Sequence, residues 1–330
     1  MSSKTFILKD IPLSVVNGIR RTVLNGIPNV AANASSMDIK RVDGHMEFIK
    51  HRITLVPMHF NEKEIENFNP NNYRFVLSVK NTSIDNLSVT SKDIEIYNPN
   101  NGEKYPPNFH ARIFPANKIS KDHVLITRLH PNNYNMKEGE TIHIEFSAEK
   151  NIAKQHVCFM PVSKCSFYYQ IDEEAASNAR KQSSNPKQFD IHDRFRHFKK
   201  NDKGEPNEFV FSIDSECPLS PTYLINKALQ IIKERLITLV YTTNNLGNNY
   251  WKIIINKEDS SIGNMINSSM FDRMKSPLSF VGYYSKHHQL VEQIVIKMGF
   301  DKEMKEREVN DFFDKEVDHL VNNVLDISLE

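Results

Sequence analysis

Residues 221–239 place Leu224, Ile225, Ala228, Leu229, Ile232, Leu236 and Leu239 on one side of a helix that Ser220 and Pro221 open as cap and first-turn proline. A face that broad must be buried against another long element. The chain offers one near its far end, where Val309, Phe312, Phe313, Val317, Leu320, Val321, Val324 and Leu325 recur at i, i+3/i+4 spacing. A third stripe, Ile11, Val15, Ile19 and Val23, follows a short strand at 5–11 and ends at Gly26 and Pro28. Asn17, Arg20 and Arg21 lie off its centre, which predicts a core-facing side and a basic, exposed side.

A faint repeat links the two ends of the chain. Ser14-Val15-Val16-Asn17-Gly18-Ile19 is matched 247 positions later by Ser261-Ile262-Gly263-Asn264-Met265-Ile266, and each copy follows a strand. Each copy also leads, further on, to one of the long helices. The expectation is an α+β fold in which two related half-domains bury their helices against each other, a pseudo-symmetric dimer within one chain.

Between about 60 and 160 the text becomes β-rich: VLSVKN, DIEIYN, HVLITRL and TIHIEFSAE alternate or run apolar between Asn, Pro and Gly clusters. Residues 172–208 are charged and turn-rich and predict a surface excursion without a long element. The stretch TTNNLGNN (242–249) is expected to be a linker before the strand YWKIIIN. A short helix at 261–272, two strands with His287 and His288 in their turn, and the terminal helix complete the reading.

Composition narrows the function. With 42 Lys and Arg against 41 Asp and Glu the net charge is +1, so no global field draws the chain to nucleic acid or an anionic membrane. Residues 301–330 hold ten acidic and four basic residues, which makes the last helix a poor DNA binder. Only Cys158, Cys165 and Cys217 occur, without a CxxC pair, so neither a disulfide framework nor a four-ligand zinc site is indicated. Cys158 and Cys165 sit in apolar, strand-like text and read as small core residues. The spacing of His192 and His197, and a pair of adjacent turn histidines, do not suit one ion. No phosphate loop, dinucleotide fingerprint, nucleophile elbow or paired-carboxylate centre is present. The first residues lack an apolar signal core, no run is long enough to span a membrane, and an intracellular protein is expected.

Several stretches together resemble a known family. NGIRRTVLNGIPNVA (17–31) is similar to the helix signature of the third-largest subunit of eukaryotic RNA polymerase, the archaeal D subunit and the bacterial α subunit. EFIKHRITLVPM (47–58) resembles that family's motif at the start of its inserted domain. AKQHVCFMPVS (153–163) resembles its His-Ala-Lys-Trp-Ser-Pro stretch, with Val157, Cys158 and Phe159 replacing Ala-Lys-Trp. FSIDSECPLSPTYLINKALQIIKERL (211–236) is similar to its closing strand and helix. KEDSSIGNMI (257–266) and SFVGYYSKHHQLVEQIVIKM resemble the small partner, the eleventh subunit or archaeal L.

The resemblance implies a fusion of the two partners, an arrangement characteristic of some large DNA viruses. It implies a D-like dimerisation domain (1–36 and 166–241), a β-rich insert (37–165), a linker (242–249) and an L-like domain (250–330). The implied role is that of a non-catalytic assembly platform. Its partners would be the largest and second-largest polymerase subunits and a small tenth- or twelfth-subunit-like protein, with nucleic acid reached only through the complex. The setting would be the host cytoplasm or the virion rather than the nucleus. Arg20, Arg21, Glu47, Phe48, His51, Arg52 and Pro161 would face the second-largest subunit. Val15, Ile19, Val23, Leu229, Ile232, Leu236, Ile262, Ile266, Phe313, Val317, Leu320 and Val324 would form the dimerisation core, with Asn17 and Asn264 structural. Relatives carry a Cys cluster in the insert; only Cys158 and Cys165 are present here, so no metal and no cofactor is expected. Two other classes compete: a DNA-binding protein using Arg20, Arg21 and the 194–203 basic stretch, and a metal-dependent hydrolase built from scattered His and Asp.

Overall fold

The computed structural model describes residues 2–131, 139–215, 217–285 and 292–325. The chain divides into two compact units, one built mainly from 25–163 with 215–220, the other from 3–24, 164–214 and 221–330. The longer helices among the described residues are α1 (Leu13–Asn25), α2 (Met46–Thr54), α3 (Glu173–Gln182), α4 (Pro221–Ile237), α5 (Ser260–Asp272) and α6 (Glu306–His319).

The first unit is β-rich, as the alternating text predicts. Its largest sheet is four-stranded and antiparallel, in the order Asp38–Val42, Thr141–Phe146, Arg74–Lys80, Ile94–Tyr97. Two smaller antiparallel pairs join Pro28–Ala32 to Ala148–Ile152 and Leu87–Thr90 to Leu125–Leu129. Phe75 anchors the core, stacked on Phe146 with ring centroids 5.3 Å apart and edge-on to Phe114 at 6.2 Å. Helix α2 fastens to this unit through the buried Ile49 and Ile53.

The second unit contains two sheets. In the first, β1 (Ser2–Lys9), β2 (Val162–Tyr169) and β3 (Glu208–Ser215) run in the order β1-β3-β2. In the second, β4 (Tyr241–Gly247), β5 (Tyr250–Asn256), β6 (Leu278–Ser285) and β7 (Gln293–Phe300) form an antiparallel sheet ordered β4-β5-β7-β6. Val15, Ile19 and Val23 of α1, Leu229, Ile232 and Leu236 of α4, Ile262 and Ile266 of α5, and Phe313, Val317 and Leu320 at the terminal helix are all buried. The side chain of Val324 and the His287–His288 turn lie outside the described residues.

Three readings need correction. Residues 242–249 are not a linker. Asn248 and Asn249 both take left-handed φ, 51° and 62°, which is the two-residue type I′ turn, and β4 pairs with β5 from Tyr241 opposite Ile255 to Gly247 opposite Tyr250. Tyr241 Oη donates to Asp314 Oδ1 at 2.6 Å, and Thr243 Oγ1 lies 2.6 Å from Asn310 Oδ1, so this strand is tied to α6. The polar letters are those of an edge strand and a tight turn, whose pairing needs only backbone.

The excursion at 172–208 holds the ten-residue α3. Only Ala176 of this helix is buried, so apolar period gave no signal. It is held by its ends: Asp172 caps it, accepting from Ala175 N at 3.0 Å, with Glu173 and Glu174 in the first turn and Arg180 and Lys181 in the last. Arg180 forks onto Asp190 at 2.8 and 3.0 Å, and Arg194 onto Glu173. Finally, Cys158 lies half-buried in the 3-10 turn Val157–Phe159, not in a strand, whereas Cys165 is buried in β2.

Candidate protein interaction site

Helix α1 begins after Pro12, whose carbonyl accepts from both Val15 N and Val16 N. It is covered more completely than one apolar stripe requires: Ser14, Val15, Val16, Gly18, Ile19, Thr22 and Val23 are all buried. At Gly18 the additional cover comes from Met265 of α5. A Cβ added at Gly18 would stand 2.8 Å from Met265 Sδ and 3.0 Å from Met265 Cε, so any larger residue there would force the Met265 side chain to shift. Gly18 and Met265 are also the residues that the repeat sets equivalent, 247 positions apart.

Arg20 and Arg21 are half-buried, not on a freely exposed face. Arg20 directs Nε and Nη2 onto Asn17 Oδ1 at 3.1 and 3.0 Å, which uses part of its guanidinium fork within the helix. The charge of Arg21 reaches Asp259, the N-cap of α5, which accepts from Ser261 N at 2.8 Å. Arg235 near the end of α4 bonds Glu258 through Nε at 3.2 Å and approaches Asp259 at 3.4 Å. Burial alone would raise the Asp259 carboxyl, but the Arg235 charge, the Ser261 hydrogen bonds and the Arg21 charge bring it below its ordinary value. This charged network joins α1, α4 and the start of α5.

Helix α2 presents the other set of predicted residues. Glu47, Phe48, His51 and Arg52 are exposed, Phe48 at 72 %, while Ile49 and Ile53 on the opposite side are buried. The His45 and Phe48 rings meet edge to face at 6.2 Å, and Arg52 Nη1 donates to Ile126 O at 3.1 Å. Between them lies a groove of about 280 Å³ that also takes in Thr127. An exposed aromatic beside a partly free guanidinium is the composition of an interface anchor. The 125–129 strand that completes this groove lies within the β-rich run HVLITRL, but nothing in its sequence tied it to α2.

Pro161 is buried, contrary to expectation. Its carbonyl lies 3.5 Å from Ser215 Oγ, which also donates to Cys217 O at 2.9 Å, so this stretch serves the interior of the first unit. The predicted contact residues therefore fall into two groups, Arg20 and Arg21 in the second unit and Glu47 to Arg52 in the first.

Little points to chemistry. Burial pushes the Cys158 thiol up to about 11 and that of Cys165 up to about 12, the latter despite the Arg20 charge, and neither is a ready nucleophile. Among the described residues no group of three or more His, Cys, Asp or Glu is gathered to hold a metal ion. Among them, too, no helix is long and apolar enough to cross a membrane.

Comparison with known proteins agrees with the architecture. The chain is 21% identical over 280 residues to DNA-directed RNA polymerases IV and V subunit 3B of Arabidopsis thaliana, covering 70% of this chain and 85% of that protein. It is 23% identical over 251 residues to DNA-directed RNA polymerase II subunit RPB3 of Schizosaccharomyces pombe, covering 72% and 83%. Residues 5–236, more than two thirds of the sequence, match the model of the RNA polymerase Rpb3/Rpb11 dimerisation domain, and the chain belongs to that family.

Proposed function

We propose that this protein is a non-catalytic assembly subunit of a multisubunit DNA-directed RNA polymerase, and that it unites a third-subunit-like and an eleventh-subunit-like half in one polypeptide. The observation that carries the fused reading is the meeting of Gly18 with Met265. In an isologous dimer, residues near the two-fold axis contact their own equivalents. A pair related by the internal repeat and in mutual contact is what a pseudo-two-fold between α1 and α5 would produce. Such a fusion fits a large DNA virus.

In this reading the second unit provides the dimer, and Phe48 with Glu47, His51 and Arg52 provides a docking face for the second-largest subunit. Arg20 and Arg21 act at the edge of the pseudo-dimer, Arg20 with part of its guanidinium engaged by Asn17 and Arg21 within electrostatic reach of Asp259. The largest subunit and a small tenth- or twelfth-subunit-like protein complete the set of partners. Pro161 has no direct part.

The test is co-expression with the second-largest polymerase subunit of the same source, followed by pull-down. A one-to-one complex is expected, weakened by Arg20→Ala/Arg21→Ala and, about tenfold or more, by Phe48→Ala. Absence of a complex with folded wild-type chain refutes the role. Unchanged binding by Phe48→Ala refutes the placement of the face.

A further inference from the structure

The register of the β4-β5-β7-β6 sheet sorts its side chains onto two faces. On one face Trp251, Ile253 and Ile255 are buried, and Tyr241 and Thr243 reach α6. On the other, Tyr250 and Phe280 are each 46% exposed and Tyr284 is 38% exposed.

This second face combines features that do nothing for the stability of the sheet itself. Gly299 and Gly282 lie inside β7 and β6, where glycine weakens a strand and marks a close approach. A Cβ at Gly299 would stand 2.8 Å from Tyr250 Cε1 and 3.2 Å from Phe280 Cβ, and one at Gly282 would stand 3.3 Å from Phe280 Cζ. The missing side chains let the two rings settle against the backbone. Lys252 and Lys297 are directly opposite each other on the two central strands, and like charges so placed repel. The four strands contain these two lysines and no acidic residue, so the sheet supplies no counter-charge of its own. Lys297 Nζ instead lies 5.3 Å from the centre of the Tyr284 ring. The acidic α6 packs behind the sheet, on the opposite face.

Exposed rings and paired cations on one face fit a ligand in which planar groups alternate with anions. Successive outward rows along the strands are about 7 Å apart. Tyr250 and Phe280 occupy one row, the two lysines the next, and Tyr284 the one after. The Tyr250 and Phe280 rings meet at 63° with centroids 6.3 Å apart, so a base stacked on one is met edge-on by the other. An acidic polypeptide would use the lysines and leave the rings without planar partners.

We propose that this sheet face binds single-stranded nucleic acid, with bases stacked on Tyr250, Phe280 and Tyr284 and the phosphate backbone crossing Lys252 and Lys297. RNA and unpaired DNA share this chemistry. The contact is direct, goes beyond the assembly role, and is independent of the docking face on α2.

The experiment is fluorescence anisotropy of the full-length chain with labelled oligouridylate in one arm and oligothymidylate in the other, each about twelve nucleotides long. Saturable binding of at least one is expected; preference for the first identifies RNA, and equal or tighter binding of the second identifies unpaired strands of either kind. Phe280→Ala/Tyr284→Ala should weaken binding about tenfold or more. Lys252→Gln/Lys297→Gln should weaken it too, and should reduce the slope of log affinity against log salt by about 1.4. Because that change relieves a repulsion, it keeps the test decisive if the ring variant fails to fold. Lys92→Gln/Lys118→Gln, which removes the same charge from exposed positions in the first unit, should leave binding within about twofold. No saturable binding of either strand overturns the proposal, as does equal loss in the two lysine variants. So does displacement of the oligonucleotide by polyglutamate as readily as by unlabelled strand, which would identify an acidic polypeptide as the occupant.

Discussion

The close approach of α1 and α5 can be tested by changing the sign of a single substitution. Gly18 lies inside a helix, where alanine is favoured over glycine by about 1 kcal/mol. Its Cβ, however, would stand 2.8 Å from Sδ and 3.0 Å from the terminal methyl of Met265, a buried side chain that must shift to admit it. Overpacking of this kind costs about 1–3 kcal/mol. Gly18→Ala should therefore lower stability by about 0–2 kcal/mol. Met265→Ala removes the obstacle and leaves a cavity, at a cost of about 2–5 kcal/mol. In that background Gly18→Ala meets no sulfur, regains its helix preference and part of the lost packing, and should raise stability by about 1 kcal/mol. The double-mutant cycle then gives a coupling of about 1–3 kcal/mol. Trp251 is the only tryptophan, is buried in β5, and belongs to the same unit, so its fluorescence through a urea titration reports the relevant transition. Additive effects, with a coupling under about 0.3 kcal/mol, would refute contact between the two helices at this point.

Other outcomes follow from named contacts. Arg235→Ala leaves the largely buried Glu258 and Asp259 without their cation and should cost about 1–3 kcal/mol in the same urea assay. Because the Asp259 carboxyl is lowered in the folded state, its contribution is complete above its ordinary value of 3.8 and disappears as pH falls below it; the acid limb of the stability profile should be shallower in Arg235→Ala than in wild type. Asp172→Ala removes the cap of α3, costing about 1 kcal/mol, and amide exchange should accelerate over residues 175–182 while β5 and β7 stay protected. With its thiol at about 11, Cys158 should alkylate slowly in the native protein, the rate rising about tenfold per pH unit towards that value; a plateau near neutral pH would contradict the burial described.

The helices that bury broad faces were legible because their period is local: Ile11 to Val23, Leu224 to Leu236 and Val309 to Leu320 announce themselves within a few turns. The strands of the insert were legible for the same reason. What escaped was held by ends or by distant partners. Helix α3 rests on Asp172 and on opposite charges at its termini, with one buried alanine, so there was no stripe to find. The β4-β5 turn was hidden because Asn248-Asn249 reads equally as loop composition and as a type I′ pair; only φ separates them. Arg20 and Arg21 looked exposed since the sequence shows what one helix face wants and not what α5 and its neighbours place against the other. Pro161 sat in a motif whose position resembled a contact, yet the Ser215 hydroxyl beneath its carbonyl is 54 residues away along the chain. The α2 face was half legible: its exposed residues were in the motif, whereas Ile126, which orients Arg52, was not.

The hairpin that replaces the expected linker has a further consequence. Helix α4 ends at Ile237 and β4 begins at Tyr241, so three residues separate what the proposed reading treats as the last turn of one half and the first strand of the other. Separate subunits must find each other by diffusion, and their pairing falls away on dilution. A join this short fixes the local concentration of one half around the other, at the millimolar level expected for short tethers. On the proposed fused reading, pairing should therefore be independent of protein concentration, and neither half would be produced in excess of the other.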